Sequence, residues 1–171
     1  MSLNPPIAAL ETLEQRCLFA AVPIGEAASL TFAQPDANTW QTVTLSRTYT
    51  DPIVVASLGT TNDVEPAEVR VRNVTPTGFE IQIDEWDYLD GQHGEETVPY
   101  LVMLDGTYRL SDGRLAEGGR VRNVGGDYQT VAFDAPFEVP PVVFSQVTAL
   151  AASGDRIRRA VPARVRTVTP T

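Results

Sequence analysis

The chain alternates short apolar runs with turn-forming clusters, at a spacing that suits strands better than helices. In Phe79-Glu80-Ile81-Gln82-Ile83-Asp84-Glu85-Trp86, residues Phe79, Ile81 and Ile83 share one face, while Glu80, Gln82, Asp84 and Trp86 share the other. Glu68–Val74 follows the same rule, with Val69 and Val71 turned inward and Arg70 and Arg72 outward. Strands are predicted near Ser29–Phe32, Thr42–Ser46, Ile53–Leu58, Glu68–Val74, Phe79–Trp86 and Pro99–Leu104. The fold class is therefore all-β.

Parity constrains the hairpin between the fourth and fifth of these strands. Pairing Val74 with Phe79 would set Arg72 against Ile81 and mix the faces. Pairing Val74 with Gly78 instead leaves Thr75-Pro76-Thr77 as a three-residue loop, with Gly78 in the left-handed conformation such a loop needs. Arg72 then opposes Glu80, Arg70 opposes Gln82, and Asp84 lies on the diagonal.

The pattern occurs twice. Trp40-Gln41-Thr42-Val43-Thr44-Leu45 aligns with Tyr128-Gln129-Thr130-Val131-Ala132-Phe133 at an offset of 88 (128 − 40). The same offset sets Pro52, Val54, Val55 and Ser57 over Pro140, Val142, Val143 and Ser145. Arg70-Val71-Arg72-Asn73-Val74-Thr75-Pro76-Thr77 matches Arg164-Val165-Arg166-Thr167-Val168-Thr169-Pro170-Thr171 at an offset of 94 (164 − 70), so the second copy carries an insertion within Ala149–Ala163. The second copy runs only to the counterpart of Thr77, and the sequence reads as a piece of a longer protein. Three segments are expected: residues 1–21, a complete unit over 22–110, and an incomplete copy over 111–171.

Residues 1–21 differ from the rest. Asn4-Pro5-Pro6 can open a short helix with Leu10, Leu13 and Cys17 on one face, and otherwise the segment is a tail. Leu13-Glu14-Gln15-Arg16-Cys17-Leu18-Phe19-Ala20-Ala21 resembles the LEPR-XLL motif near the start of large exported bacterial proteins, with Gln15 where that motif prefers proline. This resemblance implies an extracellular or cell-surface location.

Composition narrows the functional classes. Thirteen basic residues, all Arg, stand against 22 acidic ones, for a formal charge of −9 in 171 residues. An acidic chain without a basic stripe does not suit a nucleic-acid partner. No apolar run is long enough to span a membrane as a helix. One cysteine, Cys17, excludes an intrachain disulfide, and the lone His93 argues against a zinc or His-dependent site. The acidic loop after Trp86, with Asp87, Asp90, Glu95 and Glu96, lacks calcium-loop spacing and is expected to be solvated, so no metal or other cofactor is assigned. No nucleophile–base pair, phosphate loop or cleft-bound carboxylate pair points to an enzyme.

The outward residues carry the binding signal. Sugars are held by an aromatic plane against their C–H face and by charged groups sharing hydroxyl hydrogen bonds. Arg70, Trp86, Asp87 and Tyr88 supply those parts and form the candidate carbohydrate site.

Pro52-Ile53-Val54-Val55, Arg70, Val74-Thr75-Pro76-Thr77-Gly78-Phe79, Trp86 and the strand around Tyr100-Leu101-Val102 together resemble the H-type lectins. The resemblance covers residues 22–110 and, in truncated form, those from 111 onward. It implies an antiparallel six-stranded β-sandwich, a homotrimer, and binding of galactose or N-acetylgalactosamine-type glycans with Arg70 and Trp86 in the sugar site. Asp87 stands where that family often has His, which replaces a donor-capable ring with an acceptor. The second copy contains no tryptophan and is assigned no site. The competing reading is a structural or adhesive repeat that mediates protein–protein assembly without sugar.

Overall fold

The computed structural model describes residues 23–122, 127–149 and 164–170; the N-terminal helix or tail and its export-like motif lie outside the described residues. Among the described residues there is no helix, and the first unit is built from six strands: β1 (Gly25–Gln34), β2 (Gln41–Thr44), β3 (Ile53–Ala56), β4 (Ala67–Thr75), β5 (Gly78–Glu85) and β6 (His93–Met103). Each coincides with an expected strand, with shifted ends. They form two antiparallel three-stranded sheets, ordered β1-β6-β3 and β2-β5-β4. The fold is all-β, and the two sheets form a sandwich around one core.

That core follows from the alternation. Val69 and Val71 of β4, Phe79, Ile81 and Ile83 of β5, and Val43 of β2 face Val54, Val98 and Val102 of the other sheet. Phe79 meets Tyr100 edge-on across the sandwich, with ring centroids 5.2 Å apart. Truncating a fully buried phenylalanine of this kind costs about 3–5 kcal/mol. The central strands β5 and β6 are the most buried, as flanked strands must be.

The hairpin register matches the expected pairs Arg72 with Glu80 and Arg70 with Gln82, but the turn differs. Thr75, not Val74, pairs with Gly78, which leaves only Pro76 and Thr77 between them. The residue that keeps the faces in phase is a β-bulge between Arg72 and Thr75, where Asn73 takes the left-handed conformation (φ 49°). Asn tolerates that region because its short amide bonds locally, and here its Nδ2 donates to Glu80 at 2.7 Å. Gly78 is needed for another reason. A Cβ on it would stand 2.5 Å from the Val43 carbonyl oxygen, so only glycine lets β2 approach β5 at Thr44.

A second bulge reshapes β6. Its pairing with β1 shifts between Phe32↔Glu96 and Gln34↔His93, so Gly94 and Glu95 share one partner position. Two residues three apart, His93 and Glu96, are thereby both turned inward and buried.

After β6, β7 (Gly106–Arg109) and β8 (Leu115–Gly118) form a hairpin that runs across position 110/111. At the 88-residue offset, β8 stands where the middle of β1 stands in the first unit. Residues 127–147 hold no regular strand. Then β9 (Thr148–Ala149) adds to the free edge of β4 as a short parallel strand, making that sheet β2-β5-β4-β9.

Candidate functional site

The outer face of the β2-β5-β4 sheet carries the candidate residues. Arg70 opposes Gln82, and its Nη1 reaches Asp84 at 3.0 Å, the diagonal neighbour. This pair is about 85% buried on both sides, with side-chain exposures of 14% and 15%. The diagonal matters because it carries the guanidinium one same-face step along β5 toward Trp86. Arg70 and Trp86 begin four residues apart along the sheet, about 13 Å at strand rise, and Asp84 lies midway between them in register. Burial holds the Asp84 carboxyl above the usual carboxylate range, an effect opposed by Arg70 and reinforced by nearby Asp87 and Glu85.

Trp86 follows β5 directly and is half-buried, and strand parity places it on the side of Asp84. Its carbonyl accepts the Leu89 N–H at 2.8 Å, closing a turn that presents Asp87 and Tyr88 to solvent. Tyr88 is 77% exposed, more than most large apolar side chains of the first unit. Arg70 thus sits mid-strand on the outer face, while Trp86, Asp87 and Tyr88 follow the end of β5. None of them lines the open recess of about 440 Å³ beside Leu58, Val64, Glu65, Pro66, His93 and Glu96. The candidate site is a surface.

Its loop is anchored by groups that the alternation did not single out. Glu85, 5% exposed, accepts the Gly91 N–H at 3.1 Å and pairs with His93 Nδ1 at 3.0 Å. Gly91 itself is left-handed (φ 79°) and packs on Ala37. Glu96, 0% exposed, accepts the Thr60 hydroxyl and the Asp63 N–H, and lies 3.7 Å from His93 Nε2. The Thr60 hydroxyl is the main cause that lowers its pKa below the ordinary glutamate value. Asp63 is lowered chiefly by the backbone N–H of Gly94, which donates to it at 2.7 Å. His93 thus acts as a structural link between β5 and β6 beneath the turn.

A neighbouring loop is fixed by two buried glutamines. Gln34 donates to the carbonyls of Asp36 and Thr39, at 2.6 and 2.7 Å, and accepts the Ile83 N–H at 3.2 Å. Gln82 donates to the carbonyls of Ala37 and Thr39 at 2.9 and 3.0 Å. This holds the approach to Trp40. Across the sheet the Arg72 guanidinium stacks on the Trp40 ring, 4.0 Å from its centroid, while its Nε meets Glu80 at 2.5 Å. Trp40 and Arg72 escaped the candidate set, although the repeat contains the signal. The aligned residues Tyr128 and Arg166 form the same kind of stack, at 5.5 Å.

Of the acidic loop residues, Glu96 is sealed inside and Asp90 turns toward Glu65 and Glu85. One carboxylate oxygen from each of those three lies within 4.8 Å of the others, an oxygen set of the sort hard cations use. Burial and the charges of Glu85, Asp90 and Asp63 raise the pKa of Glu65.

No family model matches the chain, and no solved structure matches it. The chain is similar to Halomucin of Haloquadratum walsbyi (strain DSM 16790 / HBSQ001), with 31% identity over 127 residues. The match covers 69% of this chain and 1% of Halomucin.

Proposed function

We propose that the chain is a carbohydrate-binding module of an exported or cell-surface protein, taking galactose or N-acetylgalactosamine-type sugars on the Arg70–Trp86–Tyr88 end of the sheet. The observation that carries this reading is the diagonal Arg70–Asp84 pair, which sets a planar cation and an acceptor on the face of β5 that Trp86 continues. A sugar ring lies its C–H face on Trp86 or Tyr88, and its hydroxyls share hydrogen bonds with Arg70, Asp84 and Asp87. The similarity to 1% of Halomucin supports placing such a module within a much longer chain. The resemblance to H-type lectins supports a homotrimer, which sedimentation tests directly.

The test is a glycan array followed by calorimetry on the full chain. Trp86→Ala is expected to weaken binding at least tenfold with the unfolding midpoint little changed, and Tyr88→Ala to weaken it less. Failure of the folded chain to bind any galactoside overturns the reading.

A second reading, a structural or adhesive repeat, draws on a separate observation. Residues 127–147 leave Tyr128, Val131, Val139, Val142 and Phe144 between 56% and 81% exposed. So many solvent-facing apolar groups in one stretch mark a surface for protein association.

A further inference from the structure

We propose that the outer edge of β4 is a docking slot for the segment Gln146–Ala149, and that the two repeat units are joined there by strand addition. This inference is independent of sugar binding. An edge strand offers unpaired backbone groups that template another strand, and β4 is the edge of its sheet on the side away from β5. The segment fills it in parallel, with Val71 beside Thr148 and Arg72 beside Ala149.

Gln146 makes the contact specific. Its Nε2 donates to the Val69 carbonyl at 3.0 Å, and its Oε1 accepts the Ala56 N–H at 3.3 Å. One side chain therefore ties the edge of β4 to the edge of β3 and closes the open side of the sandwich. At the 88-residue offset Gln146 corresponds to Leu58, which packs against the apolar core of the first unit. Leucine has neither the donor nor the acceptor that this bridge uses.

The corresponding segments also run to different places. In the first unit the chain after Leu58 folds back on β6, where Gly59 N–H donates to the Thr97 carbonyl at 2.7 Å and Thr97 N–H to the Thr60 hydroxyl at 2.8 Å. In the second unit it crosses to β4. One further tie holds the units together. Arg120 bonds the Asp51 carboxylate and the Asp51 and Pro52 carbonyls at the start of β3. Within the second unit, Glu117 of β8 accepts the N–H groups of Asp134 and Ala135.

Backbone hydrogen exchange on the full chain tests the slot. Ala56 is expected to exchange slowly in the wild type, and at least tenfold faster in Gln146→Ala. Thr148→Pro, which removes a backbone donor from the added strand, is expected to speed exchange of β4 amides that face away from β5. Ile81, in the core of β5, reports whether each variant is still folded. The proposal is overturned if Ala56 exchanges at the same rate in wild type and Gln146→Ala while Ile81 stays protected. It is equally overturned if Ala56 protection rises with protein concentration, because the slot is then filled by a second copy and not by this chain's own segment.

Discussion

Replacing Gln34 with Leu removes three hydrogen bonds without opening a large hole, since the two side chains are similar in volume. Gln34 is 2% exposed, so water cannot take over its bonds. The Ile83 N–H, whose acceptor is Gln34 Oε1, is left buried and unpaired, at a cost of about 1–3 kcal/mol. The carbonyls of Asp36 and Thr39 each lose a donor but keep another, from Thr39 N–H and Gln82 Nε2 respectively. Those two losses therefore sit near the lower end of the usual range, about 0.5 kcal/mol each. The expected total is about 2–4 kcal/mol, a large share of the stability of an ordinary domain. Urea denaturation should show a lower midpoint with an unchanged slope, and the Ile83 amide should exchange faster than in the wild type. A loss below about 1 kcal/mol with Ile83 still protected would refute the argument that Gln34 completes the ladder where β2 leaves β5.

Gly78→Ala forces a Cβ against the Val43 carbonyl, so Val43 and Leu45 amides should lose protection, at a cost of about 1–3 kcal/mol. Asn73→Val places a β-branched residue at φ 49° and removes the bond to Glu80, and urea denaturation should report a loss of about 2 kcal/mol. Asp63 and Glu96 are held below their ordinary values of 3.8 and 4.5, so their contribution is complete above those values and is lost as pH falls through the lowered ones. The unfolding temperature should therefore drop in that acid window, and less so in a Thr60→Val variant, which lacks the hydroxyl on Glu96. Glu65 has the opposite sign: its raised pKa means that ionisation costs stability as pH climbs above 4.5. Glu65→Gln should raise the unfolding temperature at pH 7 and leave it unchanged near pH 3.

Apolar runs bounded by turn signals located all six strands of the first unit. The period of two showed most clearly in β4 and β5, whose valines and isoleucines fill the core face. What these signals did not locate depends on bulges. His93 and Glu96 are three residues apart, which assigns them to opposite faces of a regular strand, and only the irregularity at Gly94–Glu95 turns both inward. The Asn73 bulge had the same effect on the hairpin. Parity demanded one extra residue, and the chain supplies it inside β4 and not in the turn. In the candidate site, Arg70, its diagonal partner Asp84 and the exposed Asp87–Tyr88 turn were readable from register and turn chemistry. Trp40 was not, because its partner Arg72 reaches across an intervening strand, a contact that no local spacing encodes. The second copy shows the limit of pattern reading. Tyr128–Phe133 has the residues of a strand, yet it takes no regular pairing among the described residues, since strand formation needs a neighbouring edge as well as a sequence.

The central position of β6 has a consequence for the time course of synthesis. β1 and β3 both pair with β6 and not with each other, so neither can be completed until β6 has been made. Gly25 and Met103 are partners 78 positions apart (103 − 25), about 4–16 s of ribosomal elongation. Through that interval Leu30 and Phe32 have no sheet to join. β4 and β5 face no such delay, since two residues connect them, and their hairpin is the natural early nucleus. β8, which occupies the place of β1 in the second unit, meets its partner β7 within a few residues of leaving the ribosome. The nascent chain therefore gives this strand a companion almost at once, while its counterpart in the first unit must wait.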